Sequence, residues 1–393
     1  MARSNKKKPA CIDDIRKRMD QLNIKVANNI ISGTIEISGL PPKYSHENAL
    51  NILPCYLYDE IKSHGSINAS RLDINDALMS IADENRFNPV KDMLERAPHD
   101  GFERILILKK ILGIEADPHS CRILEKWLHQ TIAMALNNED EPYGADGVLV
   151  LQGEQGAGKT FFCSKLAMYP DLFAEGVSID LNNKDTVIQS TGVWISELGE
   201  LDSTLRREQA QLKAFITSKK DIYRLPYGKA AISRTRRTSF CATVNPDVFL
   251  NDETGSRRFW VIHVGHIDIE HLKTLDETWF QQLWRQVYEQ MFVPNPQGFR
   301  LTAEERRKLQ EKNRIYEKPL PGEIEITDNL DFESNVWGWY RVSTVIELLG
   351  LRGISAAQVG KVLSKLTKSH PEITMKNTHN VKQYYLPKVP KLV

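Results

Sequence analysis

An α/β fold is predicted, with a five-stranded parallel sheet between a helical N-terminal region and a small C-terminal module outlined as helix, helix and two-stranded wing. Three observations predict it. The apolar run Val148–Leu151 leads into a glycine-rich loop, and the apolar-striped start of a helix, Phe161–Ala167, comes directly after it. Four more short apolar runs, at 177–181, 192–196, 239–244 and 259–264, are separated by helical or loop segments. Such alternation builds a parallel sheet with helices on its faces. Beyond residue 335, two helical patterns precede an alternating hairpin.

Taken in order, residues 1–44 read as a basic tail containing Lys6–Lys8 and a short helix within 11–30. Residues 45–138 read as a helical domain, because apolar residues recur three or four apart through 73–83, 90–95, 102–112 and 121–136. The polar stretch 137–146 is a loop into the first strand of the core. That core spans 139–318 and ends in a helix over 302–316, opened by a capping box of Thr302 and Glu305. Residues 319–334 carry five acids, no base and two prolines, as a linker would. The last module, 335–393, has helices at 343–349 and 355–368, the second opened by Ser355 and Gln358, and a hairpin over 373–386.

Composition narrows the function classes. The 393 residues are 41% hydrophobic and 26% charged, ordinary for a water-soluble protein of two or three domains. No apolar run reaches the roughly 18 residues of a membrane span, and no signal-peptide core opens the chain. A net charge of +1 gives the whole molecule no pull on nucleic acid, so only local patches can supply one. The five cysteines are scattered and free of CxxC spacing, which fits a reducing cytoplasm without disulfides or a zinc knuckle. His263, His266 and His271 lie close together, but His263 alternates within an expected strand, so they read as structural.

The chemistry concentrates in "LQGEQGAGKTFF". Gly153-x4-Gly158-Lys159-Thr160 is the P-loop pattern, set between strand and helix as its mechanism needs. Glycines let backbone N–H groups approach phosphate oxygens, and the helix N-terminus adds partial positive charge. The nucleotide-binding candidates are Gly153, Gln155, Gly156, Ala157, Gly158, Lys159, Thr160 and Phe161, with ATP and Mg²⁺ as cofactors. Lys159 is expected on the β/γ phosphates and the Thr160 hydroxyl on Mg²⁺. "GVWISELGEL" ends an apolar run in acid, so Glu197 is the second candidate for Mg²⁺ or its water, with Glu200 within reach. One carboxylate on the metal and another polarising a water is what hydrolysis requires; which glutamate activates the water is left open. "SFCATVNP" ends a strand in Asn245, a neutral group able to donate and accept near a γ-phosphate. "TGSRRFWVI" sets Arg257 and Arg258 before the last strand, where either can neutralise charge on a neighbour's phosphates.

The order P-loop, acid, asparagine, arginine resembles AAA+ ATPases and, within them, superfamily 3 helicases. The closer resemblance is to the virulence-associated E (VapE) family of phage and genomic-island ATPases. It is carried by "FNPVKDMLERAPHDG", "LVLQGEQGAGKT", "WISELGEL", "LKAFITSKKDIYRLPYG" and "TVNPDVFLNDETGSRRFWVI", over roughly residues 85–265. The resemblance implies a DNA-dependent ATPase used in replicating mobile DNA, assembled as a homo-hexamer or similar ring. Two departures stand out: family members usually show an aromatic before the Asp-Gly pair where this chain has "PHDG", and no room exists for the primase module many relatives carry, so a primase would be a separate chain.

Two segments suit DNA. Residues 219–237 hold seven bases (Lys219, Lys220, Arg224, Lys229, Arg234, Arg236, Arg237) against one acid, Asp221, around the turn "YRLPYGK" with Tyr223 and Tyr227. The resemblance implies that this hairpin projects into a central pore, and cations with aromatics suit single-stranded DNA. Lys361, Lys365 and Lys368 fall on one helix face, with Lys376 and Lys382 in the wing, a stripe suited to duplex DNA. The expected activity is thus an ATP-driven helicase that initiates replication. Its rivals are an origin-binding, DNA-remodelling ATPase that loads another helicase without translocating, and a P-loop kinase acting on a small substrate.

Overall fold

A computed structural model describes residues 8–64, 67–96, 98–180, 183–199, 201–223, 231–250, 256–378 and 381–389. Contacts divide the chain into two units, one of residues 1–246 and 257–311, the other of 247–256 and 312–393.

The first unit opens with β1 (Lys8–Pro9), α1 (Ile12–Gln21), β2 (Lys25–Asn29), β3 (Thr34–Ser38), α2 (Ala49–His64), β4 (Ile67–Asn68), α3 (Arg71–Glu84) and β5 (Arg86–Phe87). The hairpin of β2 and β3, which β5 joins in parallel, falls where only a tail and a short helix were expected. Its apolar residues are few: Ile24 and Val26 are buried, whereas Ile35 and Ile37 are only half-buried. The asparagine pair at the end of β2 hides a strand whose stability comes from packing on α1, α2 and α3, not from its own pattern.

Helices α4 (Pro89–Glu95), α5 (Arg104–Ile111) and α6 (Pro118–Ala135) come next, as the helical periodicity predicts. Then come β6 (Val148–Gln152), α7 (Lys159–Ala167), β7 (Phe173–Val177), α8 (Lys184–Thr191), β8 (Ile195–Leu198), α9 (Leu201–Ile216), the antiparallel pair β9 (Lys220–Tyr223) and β10 (Ile232–Thr235), β11 (Ser239–Val244) and β12 (Phe259–His263). Five of these form one sheet in the order β12-β6-β11-β8-β7, every pair parallel. The fold class is α/β, as predicted. The second strand lies four residues earlier than its apolar alternation suggests, at Phe173–Val177. There Glu175 and Gly176 break the apolar pattern, and a register shift between Ala174 and Val177 accommodates them.

Helix α6 packs on the sheet and fixes where β6 begins. Gln130 donates to Gly147 O at 2.8 Å and accepts from the Asp146 N–H at 2.7 Å. Trp127, Trp194 and Trp284 are fully buried around this layer, and each indole N–H reaches a backbone carbonyl, of Phe240, Thr131 and Leu166 respectively. A buried donor left unpaired would cost about 1–3 kcal/mol, so these bonds fix ring orientation as well as packing. Helices α10 (Ile269–Thr274), α11 (Glu277–Val287) and α12 (Ala303–Asn313) end the main run of the unit.

The second unit contains α13 (Glu323–Asp328), β13 (Trp337–Arg341), α14 (Val342–Leu348), α15 (Ala356–Ser369), β14 (Thr374–Thr378) and β15 (Val381–Pro387). Its sheet runs β13-β15-β14, antiparallel throughout. The segment 319–334, expected as a linker, holds α13 and places Ile326 and Leu330 in the core with Val359, Leu363 and Tyr384. Its acidity masked those two apolar anchors. Among the described residues, no helix is long and apolar enough to cross a membrane.

Candidate functional site

The glycine-rich loop leaves β6, whose five residues are all buried, and enters α7. A Cβ on Gly153 would stand 2.2 Å from Val264 O, so only glycine lets the loop pass this backbone. Gly156 and Gly158 have φ of +83° and +85°, and Gly158 caps α7 in the left-handed conformation. Among the described residues, the N–H groups of Gly156, Gly158, Lys159 and Thr160 donate no hydrogen bond. A helix start with such donors is a ready site for an anion. Gln155 and Phe161 are exposed at the loop, and Ala157 is half-buried.

Lys159 is 5% exposed, and its ammonium donates to Gly153 O (2.8 Å), Glu154 O (2.6 Å) and Asn245 Oδ1 (3.0 Å). Three donors meet three acceptors. Burial pushes its pKa below the usual lysine value, while the Glu197 carboxylate pulls it back up. Asn245, at the end of β11, turns its carbonyl to the lysine and so keeps its amide N–H groups for another acceptor. From β8, Glu197 is 3% exposed; its Oε1 accepts from the Thr160 and Thr243 hydroxyls, both at 2.8 Å. Its Oε2 accepts no hydrogen bond among the described residues. Adjacent parallel strands thus bring Lys159, Thr160, Glu197 and Asn245 together, as their positions at the ends of apolar runs imply. Glu200 lies outside the described residues.

Thr243 was missed by sequence reasoning. It stands on β11 two residues before Asn245, which directly follows the strand, and the period of two would have placed both on one face. Gln152 was missed as well: its Oε1 meets His263 Nδ1 at 2.6 Å, which gives that histidine a structural partner.

The two arginines before β12 differ. Arg257 is exposed, and its guanidinium makes no hydrogen bond or ion pair among the described residues. Arg258 is half-buried beside the wholly buried Phe259.

The basic segment 219–237 divides sharply. Lys219 and Lys220 are exposed. Arg236 is 1% exposed, paired with Asp221 (Nε to Oδ2, 2.6 Å), bonded to Phe215 O and stacked on Phe215 and Phe240. Arg237 is buried against Glu139 at 2.9 Å, and Arg234 donates to Ser32 O at 2.8 Å. These three hold structure, so the seven-to-one basic excess overstates the charge left for a partner. Arg224, Tyr227 and Lys229 lie outside the described residues.

In the second unit, Lys365 is held by Glu323 at 2.7 Å with Glu317 at 3.7 Å, which takes its charge out of the expected lysine stripe. Lys361 and Lys368 are exposed on α15, and the Lys376 ammonium lies 4.0 Å from the Trp339 ring centroid.

The model of the virulence-associated protein E-like domain matches residues 94–318, more than half of the chain and the whole of this site. The chain belongs to the virulence-associated protein E-like family. Among solved structures, the VapE-like chain is similar to the apo structure of the NrS-1 C terminal region, at 13% identity and a TM-score of 0.48, covering 95% of this chain and 98% of that one. An A form apo structure of the same region matches at 13% identity and a TM-score of 0.46, with the same coverage. No curated protein matches.

Proposed function

We propose that this VapE-like chain is an ATP-driven, ring-forming DNA helicase that initiates replication of a phage-related or mobile genetic element, with an AAA+-like P-loop core and a C-terminal winged helix. One observation carries the reading. The loop lysine and threonine, adjacent in sequence, each bond a side chain from a different strand end, Asn245 at 3.0 Å and Glu197 at 2.8 Å. The strand order, with the loop strand β6 between β12 and β11, supports it further.

The residues fit ATP and Mg²⁺. Unpaired loop N–H groups and Lys159 suit phosphate oxygens, and the Thr160–Glu197 pair, with a carboxylate oxygen to spare, suits a hard cation. Bound there, Mg²⁺ would neutralise charge developing on the phosphates. The protein's own groups do the rest. Lys159 leaves the loop carbonyls for phosphate, its ammonium retained by Asn245. Thr243 fixes the Glu197 carboxylate from behind. Asn245 presents its amide N–H groups to a terminal phosphate or its attacking water. Lys219 and Lys220 with Arg224, Tyr227 and Lys229 form the single-strand contact, and Lys361, Lys368 and Lys376 the duplex contact.

The test is ATP hydrolysis with and without single-stranded DNA, alongside strand displacement on forked DNA bearing either tail. A helicase hydrolyses faster with single strands and separates the fork. Stimulated hydrolysis without separation points to a remodelling loader, and hydrolysis indifferent to DNA overturns both.

A further inference from the structure

The sheet of the second unit has one face in the core and one outside. Tyr384 and Leu386 are buried against α15, so their neighbours along β15 point the other way. Strand pairing puts Trp337 opposite Pro387, Trp339 opposite Tyr385 and Arg341 opposite Gln383, which in turn faces Lys376 of β14. Directly opposed residues share a face. The outer face therefore gathers three rings in a row: Tyr385 stacks on Trp337 at 5.6 Å and leans on Trp339 at 5.3 Å. Trp339 is 42% exposed, and the Lys376 ammonium lies over its ring. Arg341 is exposed beside Trp339, and the residues paired across this face include two cations and no carboxylate.

We infer that this aromatic face binds single-stranded nucleic acid, its rings stacking on unpaired bases while Lys376 and Arg341 meet the phosphates. A base that stacks on Trp339 displaces the Lys376 ammonium toward the phosphate. A partly exposed row of rings whose strand-paired neighbours bring two cations and no carboxylate suits an occupant that carries negative charge. Rings stack only on bases whose faces are free, which a duplex hides and a single strand offers. The site is distinct from the α15 stripe and from the 219–237 hairpin, and its occupancy does not require ATP hydrolysis.

The full chain is tested with a short oligothymidylate, an abasic strand of the same length and a duplex, by anisotropy. A 5-iodouracil version of the oligonucleotide is photo-crosslinked and the adduct mapped. Trp339→Ala should weaken oligothymidylate binding by roughly 5- to 140-fold, the range of one base–aromatic stack. Binding of the abasic strand should stay unchanged, and Trp339→Phe should restore most of the loss. Adducts should fall on Trp337, Trp339 or Tyr385. Because Trp339 is exposed, thermal unfolding of the variants should match the parent, which excludes a folding defect. Equal loss for oligothymidylate and abasic strand would reduce the face to a charge contact and overturn the stacking. Adducts elsewhere with unaltered binding in Trp339→Ala, or a proline-rich peptide bound here in place of the oligonucleotide, would overturn it too.

Discussion

At the scale of single residues, the site was legible because its signals are local. Lys159 and Thr160 are fixed by a loop pattern within eight residues, and Glu197 and Asn245 by standing directly after the apolar runs 192–196 and 239–244. Arg234, Arg236 and Arg237 were not legible. Their partners are Ser32, Asp221 and Glu139, and two of those lie about a hundred or more residues away, where no periodicity can announce them. Removing one member of such a buried pair is strongly destabilising, by about 3–5 kcal/mol, so Arg236→Ala should unfold early and is a poor probe of DNA contact. Lys159→Ala is the better probe of chemistry. Its ammonium bonds two carbonyls of its own loop, so its loss should abolish ATP turnover while circular dichroism stays that of the parent. Glu197→Gln should cut hydrolysis at least 100-fold and keep ATP binding by equilibrium dialysis, since the amide can still accept from Thr160 and Thr243 but no longer brings charge to the metal. Turnover at parent rates in either variant would remove these residues from the reaction.

At the scale of elements, the long periodic helices and the fully buried strands were readable, whereas β2, β3, β7 and α13 were not. Each of the latter draws stability from neighbours distant in sequence, and each carries polar or glycine residues that blur its period. Helix pairing also sets a pH response. On α6, burial foremost and then the Lys126 charge push His129 down to about 4. Burial raises the Glu305 carboxyl near the start of α12, but the Thr302 N–H, Arg122 and Lys126 outweigh it and hold the group down at about 2. Both folded values lie below the unfolded ones, roughly 6.5 and 4.3, so the unfolded chain binds protons first. Stability from His129 is complete above about pH 6.5 and lost toward pH 4; that from Glu305 is complete above about pH 5 and lost toward pH 2. Thermal midpoints should therefore fall steadily as pH drops from 7. In Glu305→Gln the fall below about pH 5 should be shallower than in the parent. A parallel profile in that variant would show that the α6–α12 pairing does not set acid stability.

At the scale of the whole molecule, a core and a C-terminal module are legible in the sequence, but the assembly of the second unit from two stretches of chain is not. The Phe249 and Leu250 N–H groups both donate to Tyr316 O, and the Lys318 N–H to Leu250 O, so 247–256 belongs with the chain from residue 312 onward. The demand that the proposed ring makes of the chain falls on the edge strand β12, and there the two arginines separate. Arg258 is half-buried next to Phe259, a residue wholly inside the core, and its backbone carbonyl accepts from the Val148 N–H at 2.8 Å. Arg257 is exposed, with its guanidinium unengaged among the described residues. A guanidinium that serves a neighbouring subunit must be extended and unpaired within its own, which singles out Arg257. An arginine delivered in trans is generally worth about 10³–10⁵ in rate, or roughly 4–7 kcal/mol. Arg257→Ala should then bind ATP normally and hydrolyse it at no more than a thousandth of the parent rate, whereas Arg258→Ala should lose thermal stability first. Mixing Arg257→Ala with inactive Lys159→Ala protein should recover activity, because some interfaces then join an intact loop to an intact arginine. Mixtures that stay silent despite co-assembly seen by native mass spectrometry would mean that Arg257 acts within its own subunit, and the requirement for a ring would fall with it.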